Sequence, residues 1–271
     1  MKMVSAAKLR RAQEAAESAR PYAERMDRMM SNLASSQGST ESVPMLMSGN
    51  GKSDVHLIVV FTSDRGLCGG FNSFISRSVR LKINELEAAG KTVKLFMVGR
   101  KGREQLRSEY GDRMVQSVQD VGKKGAKFVD GDAIAKTLIQ MFDNGEFDVC
   151  WSVYNRFVSA MTQVVTWHQV VPFAAAEVKD DAETTATSSY DYEPSQAAIL
   201  ESLVPRNLSV QIFRFLLESQ ASEHGSRMTA MENATRNAGD MIDDLTVTYN
   251  RTRQAAITSE LIEIISGAEA V

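Results

Sequence analysis

A glycine-rich run, Gly66-Leu67-Cys68-Gly69-Gly70, follows a strand-like stretch, His56 to Phe61, and precedes a helical pattern, Phe74 to Ala89. At that place in an α/β protein, free backbone N–H groups can cradle a phosphate. Glycine's tolerance of positive φ suits a tight turn or a partner contact equally well. The spacing favours the second use: G-x-G-x-x-G is absent, and no Lys-Ser or Lys-Thr pair follows as a P-loop requires. Gly51-Lys52-Ser53 ends like a P-loop, but Leu46 stands where the first glycine belongs and the run precedes its strand.

Few other residues could do chemistry. Cys68 could serve as a nucleophile, and His56, His168 and His224 as bases or metal ligands. The histidines fall on a strand start, a strand end and a long helix, without ligand spacing, and read as surface or edge residues. Asp64 and Arg65 leave their strand where open sheets place their sites, yet adjacent opposite charges more often anchor a turn or a partner. No catalytic, cofactor or metal residue is therefore assigned.

The elements that must position these residues follow two patterns. From Leu9, small or apolar residues recur at Ala12, Ala16, Ala19, Ala23, Met26, Met30 and Leu33, alternating steps of three and four as in a coiled-coil seam. Pro21 should kink this helix without ending it, and Ser35 to Thr40 should fray it. Met231, Ala234, Ala238, Met241, Leu245 and Tyr249 repeat the spacing in a helix expected over residues 206–266. The small seam residues at both ends predict close packing of the two helices, antiparallel because a middle domain returns the chain to its start. At 1.5 Å per residue the first helix spans about 54 Å and the last about 90 Å, so the longer outruns its partner.

Between them, strand-like runs at His56 to Phe61, Val93 to Val98, Asp148 to Tyr154 and Val164 to Val170 appear. Helical patterns at Phe74 to Ala89, Lys101 to Tyr110 and Asp132 to Phe142 separate the first three. This alternation predicts a small Rossmann-like α/β domain with a largely parallel sheet. The expected organisation is an N-terminal helix over 1–40, a linker over 41–54, the α/β domain over 55–175, an exposed connection and foot over 176–205, and a C-terminal helix over 206–271.

Lys and Arg number 31 against 34 Asp and Glu, a net charge of -3, which gives no global attraction to nucleic acid or acidic membrane. Two cysteines make no disulfide framework. No apolar run approaches the roughly 20 residues of a spanning helix, and residues 1–20 lack the apolar core of a signal peptide. The last helix nonetheless carries Ile257, Leu261, Ile262, Ile264 and Ile265 beyond one face, an apolar density that wants a surrounding protein or this chain's own domain.

Ser63-Asp64-Arg65-Gly66-Leu67-Cys68-Gly69-Gly70-Phe71-Asn72 strongly resembles the loop that marks the γ subunits of F-type ATP synthases. Ile257 to Ile264 with Ser266-Gly267-Ala268 resembles that family's end signature. Ser222-Glu223-His224, Arg227-Met228 and Tyr192-Glu193-Pro194 match further stretches in the same order. The resemblance implies a non-catalytic rotor shaft without cofactor: an antiparallel coiled coil inside a ring of three α and three β subunits, driven by a membrane c-ring, with catalysis left to β. It implies that Arg253 and Gln254 hydrogen-bond loops of the catalytic subunits, and that Ile257, Leu261 and Ile265 turn in an apolar sleeve. By the same resemblance Cys68 and the helix after it lean on the base of β, while Tyr192 and Glu193 meet the c-ring and the ε subunit. The implied place is peripheral, on the cytoplasmic face of a bacterial inner membrane or the matrix side of a mitochondrial one.

Two departures from the family pattern stand out. The family's first helix begins about twenty residues earlier, so Met1 matches an internal position, in keeping with the unequal helix lengths. Gly225 occupies a mid-helix position where the family commonly carries alanine, at a local cost of about 1 kcal/mol. Two other readings fit the bare residues: a nucleotide-binding enzyme using Gly66 to Gly70, and a scaffold that dimerises through the Leu9 to Leu33 seam.

Overall fold

The computed structural model describes residues 2–35, 44–122, 125–173 and 196–269. In chain order these form α1 (Lys2–Ser35), α2 (Met45–Ser48), β1 (Val55–Phe61), α3 (Phe71–Ala88), β2 (Thr92–Val98) and α4 (Arg100–Tyr110). A 3-10 turn leads to β3 (Met114–Val118), α5 (Phe128–Asp143), β4 (Val149–Phe157), β5 (Gln163–Val171) and α6 (Gln196–Glu269).

The five strands lie in the order β3-β2-β1-β4-β5, with β1 to β4 parallel and β5 antiparallel to β4. Alternation along β1 sends its side chains to two separate cores, as the two-residue period of a strand requires. Ile58 and Val60 pack with Ile75, Val79 and Ile83 of α3 and Leu106 of α4. Leu57, Val59 and Phe61 pack with Ile134 and Leu138 of α5 and Ile212 and Phe215 of α6. The sheet is thus covered on both faces, which is why its central strands read as unbroken apolar runs.

The α/β architecture with long terminal helices matches the expectation, and three details correct it. First, β3 escaped the sequence reading. It is a short edge strand with no fully buried residue, so Met114-Val115-Gln116-Ser117-Val118 carries little of the apolar signal of a central strand. Second, α6 begins at Gln196 and runs through Pro205, so residues 196–205 are helix and not connection. Leu200 and Val204 pack against Met26, Met30 and Met47, and that burial offsets the hydrogen bond that proline removes.

Third, the seam register differs. Leu9, Ala16, Ala23, Met26 and Met30 are buried as expected. Their partners on α6 lie in its first half: Met26 and Met30 meet Leu200 and Val204, and Leu9 meets Ala221 and Met228. Numbers that rise on one helix and fall on the other make the pair antiparallel. The outermost ion pair is Lys2 with Glu232, at 2.8 Å. The stripe from Ala234 to Tyr249, expected to face α1, lies past that point and is exposed.

Candidate functional site: a locked joint and a projecting helix

The loop after β1 emerges where the sheet order reverses, the place at which open α/β sheets usually bind ligands. Here several of its side chains and carbonyls are already engaged. Asn72, at the start of α3, accepts through Oδ1 from the Ser63 amide at 3.0 Å and donates through Nδ2 to Ser63 Oγ at 2.8 Å and Cys68 Sγ at 3.3 Å. Asp64 accepts from the backbone N–H of Arg100 at 3.0 Å, so its charge sits at the positive end of α4. Gly69, at φ +56, lets the chain turn back beneath α6 without the penalty of a side chain.

The long helix closes over this turn. Ser226 Oγ donates to the Cys68 carbonyl at 2.6 Å. The Arg227 guanidinium donates to the carbonyls of Arg65 and Gly66, each at 3.3 Å, and pairs with Glu223 at 2.7 Å. Burial pushes the Glu223 carboxyl up while Arg227 pulls it back. The glycine turn is a joint between sheet and shaft, with the carbonyls of Arg65, Gly66 and Cys68 held by one helix.

Cys68, expected by resemblance to lie at a partner contact, faces inward within this chain. Its side chain is buried against Ser63 and Asn72, and burial pushes the thiol pKa up, away from the thiolate a nucleophile needs. The large apolar residue that the loop presents outward is Leu67, 67% exposed. The histidines remain apart, on β1, β5 and α6, each with its pKa lowered by burial, which favours the neutral ring. His56 is buried, where an edge or surface position was expected, and accepts from Trp151 Nε1 at 3.3 Å; His168 is half-buried on the edge strand β5 against the Phe215 ring, and His224 is half-buried on α6.

A second tie went unread in the sequence. Glu218, 2% exposed in its side chain, accepts from Arg20 Nε at 2.7 Å and from the Phe157 amide at 2.9 Å. Arg20 also donates to the Phe157 carbonyl at 3.0 Å. One ion pair, buried on its Glu218 side, therefore joins α1, α6 and the end of β4. The available signal was a lone carboxylate inside the apolar run Phe213-Arg214-Phe215-Leu216-Leu217-Glu218.

Gly225 also has a local cause. A Cβ there would stand 3.3 Å from the Ala160 carbonyl oxygen, in the turn between β4 and β5. Close approach of that turn to α6 is what the missing side chain permits.

Beyond Glu232, α6 continues with every described side chain through Ala268 exposed. At 1.5 Å per residue this projection is about 50 Å long. Arg253 and Gln254 lie on it, as do Ile257, Leu261 and Ile265, which are 52%, 53% and 51% exposed. They touch no part of the α/β domain, so docking of the tip onto its own chain does not occur here. Tyr192 and Glu193 lie outside the described residues. No described helix is long and apolar enough to cross a membrane.

Comparison with known proteins agrees over the whole chain. The sequence profile of a family described as ATP synthase matches residues 1–271. The ATP synthase gamma chain of Paramagnetospirillum magneticum is 56% identical over 271 residues, covering 100% of this chain and 92% of that protein. That of Rhodospirillum rubrum is 54% identical over 276 residues, with the same coverage of 100% and 92%. Among solved structures, a chain of the Tetrahymena thermophila mitochondrial ATP synthase central stalk and c-ring aligns with a TM-score of 0.65 at 28% identity. It covers 87% of this chain and 97% of its own. A Euglena gracilis mitochondrial ATP synthase chain, at 19% identity and TM-score 0.63, shares the fold over 98% of this chain and 95% of its own.

Proposed function

Since the chain belongs to the ATP synthase family, in which it matches gamma chains along its full length, we propose that it is the central-stalk shaft of a rotary ATP synthase. It carries rotation from a proton-driven membrane c-ring to a ring of three α and three β subunits, with the ε subunit beside it at the foot. The observation that carries this function is the exposed, apolar projection of α6 standing on a domain that grips its base. A helix in solution does not retain Ile257, Leu261 and Ile265 at its tip without something to bury them.

A shaft must resist twisting at its foot and slide at its tip. Ser226 and Arg227 fix α6 to the turn after β1, and Glu218 fixes it to α1 and β4. The tip supplies apolar contact in a sleeve, where non-directional burial holds position with little preference for one rotational angle. Below it, Arg253 and Gln254 hydrogen-bond catalytic-subunit loops, and directional bonds do prefer particular angles. One rigid, asymmetric element thereby biases three otherwise equivalent sites differently. The chain is non-catalytic, holds no cofactor, and reaches its membrane only through the c-ring.

The test is reconstitution with α and β subunits. Wild-type chain should enter at one copy per hexamer, and replacing Arg253 and Gln254 with alanine should lower ATP hydrolysis about tenfold with assembly retained. Unchanged turnover would remove these two residues from the coupling. A stable homodimer that fails to join the ring would favour a scaffold instead.

A further inference from the structure

Near the base of the coiled coil, a cavity of about 20 Å³ lies between β5, α6 and the α2 segment, lined by His168, Asn207, Gln211, Leu46, Val170 and Val204 among others. The first three each carry a buried polar atom that meets no protein partner: His168 Nδ1, Asn207 Oδ1 and Gln211 Oε1. Asn207 and Gln211 are 3% and 2% exposed, so bulk solvent does not satisfy their oxygens. Leaving such groups unpaired costs about 1–3 kcal/mol each, and native proteins rarely tolerate several in one place.

We propose that this cavity is a binding site for a single internal water molecule that joins all three side chains. Its volume exceeds the 10–15 Å³ or so that one water requires. The chemistry is complementary. Two amide oxygens take the two hydrogens of water, and the imidazole N–H returns a hydrogen to its oxygen. That assigns the proton of neutral His168 to Nδ1. Gln211 uses its other end to donate to Asp27 Oδ1 at 2.6 Å, and Arg214 lies 3.7 Å from the same carboxylate. The water therefore completes a polar chain from β5 through α6 to α1, crossing the joint from which the shaft departs. Polar groups buried at one level of an apolar seam pin its register, because sliding by a turn would strand them.

A high-resolution structure of the assembled complex should show one density peak within about 2.7–3.2 Å of all three atoms. An empty cavity, or side chains bonded directly to one another, would overturn the proposal. The second measurement is a double-mutant cycle on the full chain with Asn207→Leu and His168→Phe. Each single change should lower the folding equilibrium constant about tenfold by stranding the water's other partners. The double variant should lose less than the product of the two, because both act on one water. Strict multiplicativity would show independent groups and refute a shared ligand.

Discussion

Burial decides what individual side chains can do here, and it turns Asp27 into a pH-dependent element of the α1–α6 seam. Desolvation raises its pKa from 3.8 to about 6, more than the Arg214 cation lowers it, and Glu24 adds to the rise. A raised carboxyl contributes stability that is whole below about pH 4 and lost as pH climbs through 6. Asp27→Asn stays neutral throughout, so its stability relative to wild type should increase by about 1–2 kcal/mol between pH 4 and pH 7.5. Denaturant unfolding at both pH values reads this, and a difference that does not change with pH would contradict it. Glu218, by contrast, has a close and well-aligned partner in Arg20. Glu218→Ala strands Arg20 and the Phe157 amide, and should cost about 3 kcal/mol in the same assay. Thiol chemistry follows exposure: Cys68 and Cys150 should resist alkylation in the folded chain, whereas Leu67→Cys should react at once.

At the scale of elements, α6 changes its environment along its length. Between Asn207 and Ser222 it is covered on several sides, by α5 and the sheet on one hand and α1 on the other. That continuous burial explains why the sequence there shows no single apolar stripe. It crosses α5 closely, where a Cβ on Gly131 would lie 2.8 Å from Phe213 Cβ and 2.9 Å from its Cα. Gly131→Ala should push the two helices apart and cost about 1–3 kcal/mol, despite alanine's better helix propensity. A thermal midpoint that rises in this variant would show that the crossing is loose.

For the molecule as a whole, a packed body carries an unpacked projection. The body packs on both faces of the sheet and holds α6 by several polar ties, while residues 233–268 have only hydrogen bonds within their own helix. Short of a partner, such a helix opens locally at little cost. Limited proteolysis should cut first in residues 233–268 and leave the remainder resistant. Removal of that segment should leave the unfolding transition of the body nearly unchanged while abolishing stimulation of the αβ ring. A large loss of body stability would mean that the projection packs more than its exposure indicates.

Periodicity and local chemistry were enough to find the two terminal helices, four of the five strands and the glycine turn, because each rests on signals between near neighbours in the chain. The run from Ser63 to Asn72 identified a family by resemblance, though on spacing alone it was only a turn. What the spacing could not supply was pairing at a distance. The Ala234 to Tyr249 stripe carries the same three-and-four signal as the Leu9 to Met30 stripe, and nothing in either says that α1 slides down to meet residues 200–228 instead. That register is set by where the sheet delivers the chain ends and by polar partners, Arg20 with Glu218 and Asp27 with Gln211, separated by 198 and 184 positions. The burial of the Cys68 side chain was out of reach of the spacing for the same reason: Asn72 bonds its sulfur and Ser226 its carbonyl, and only the folded chain brings Ser226 there.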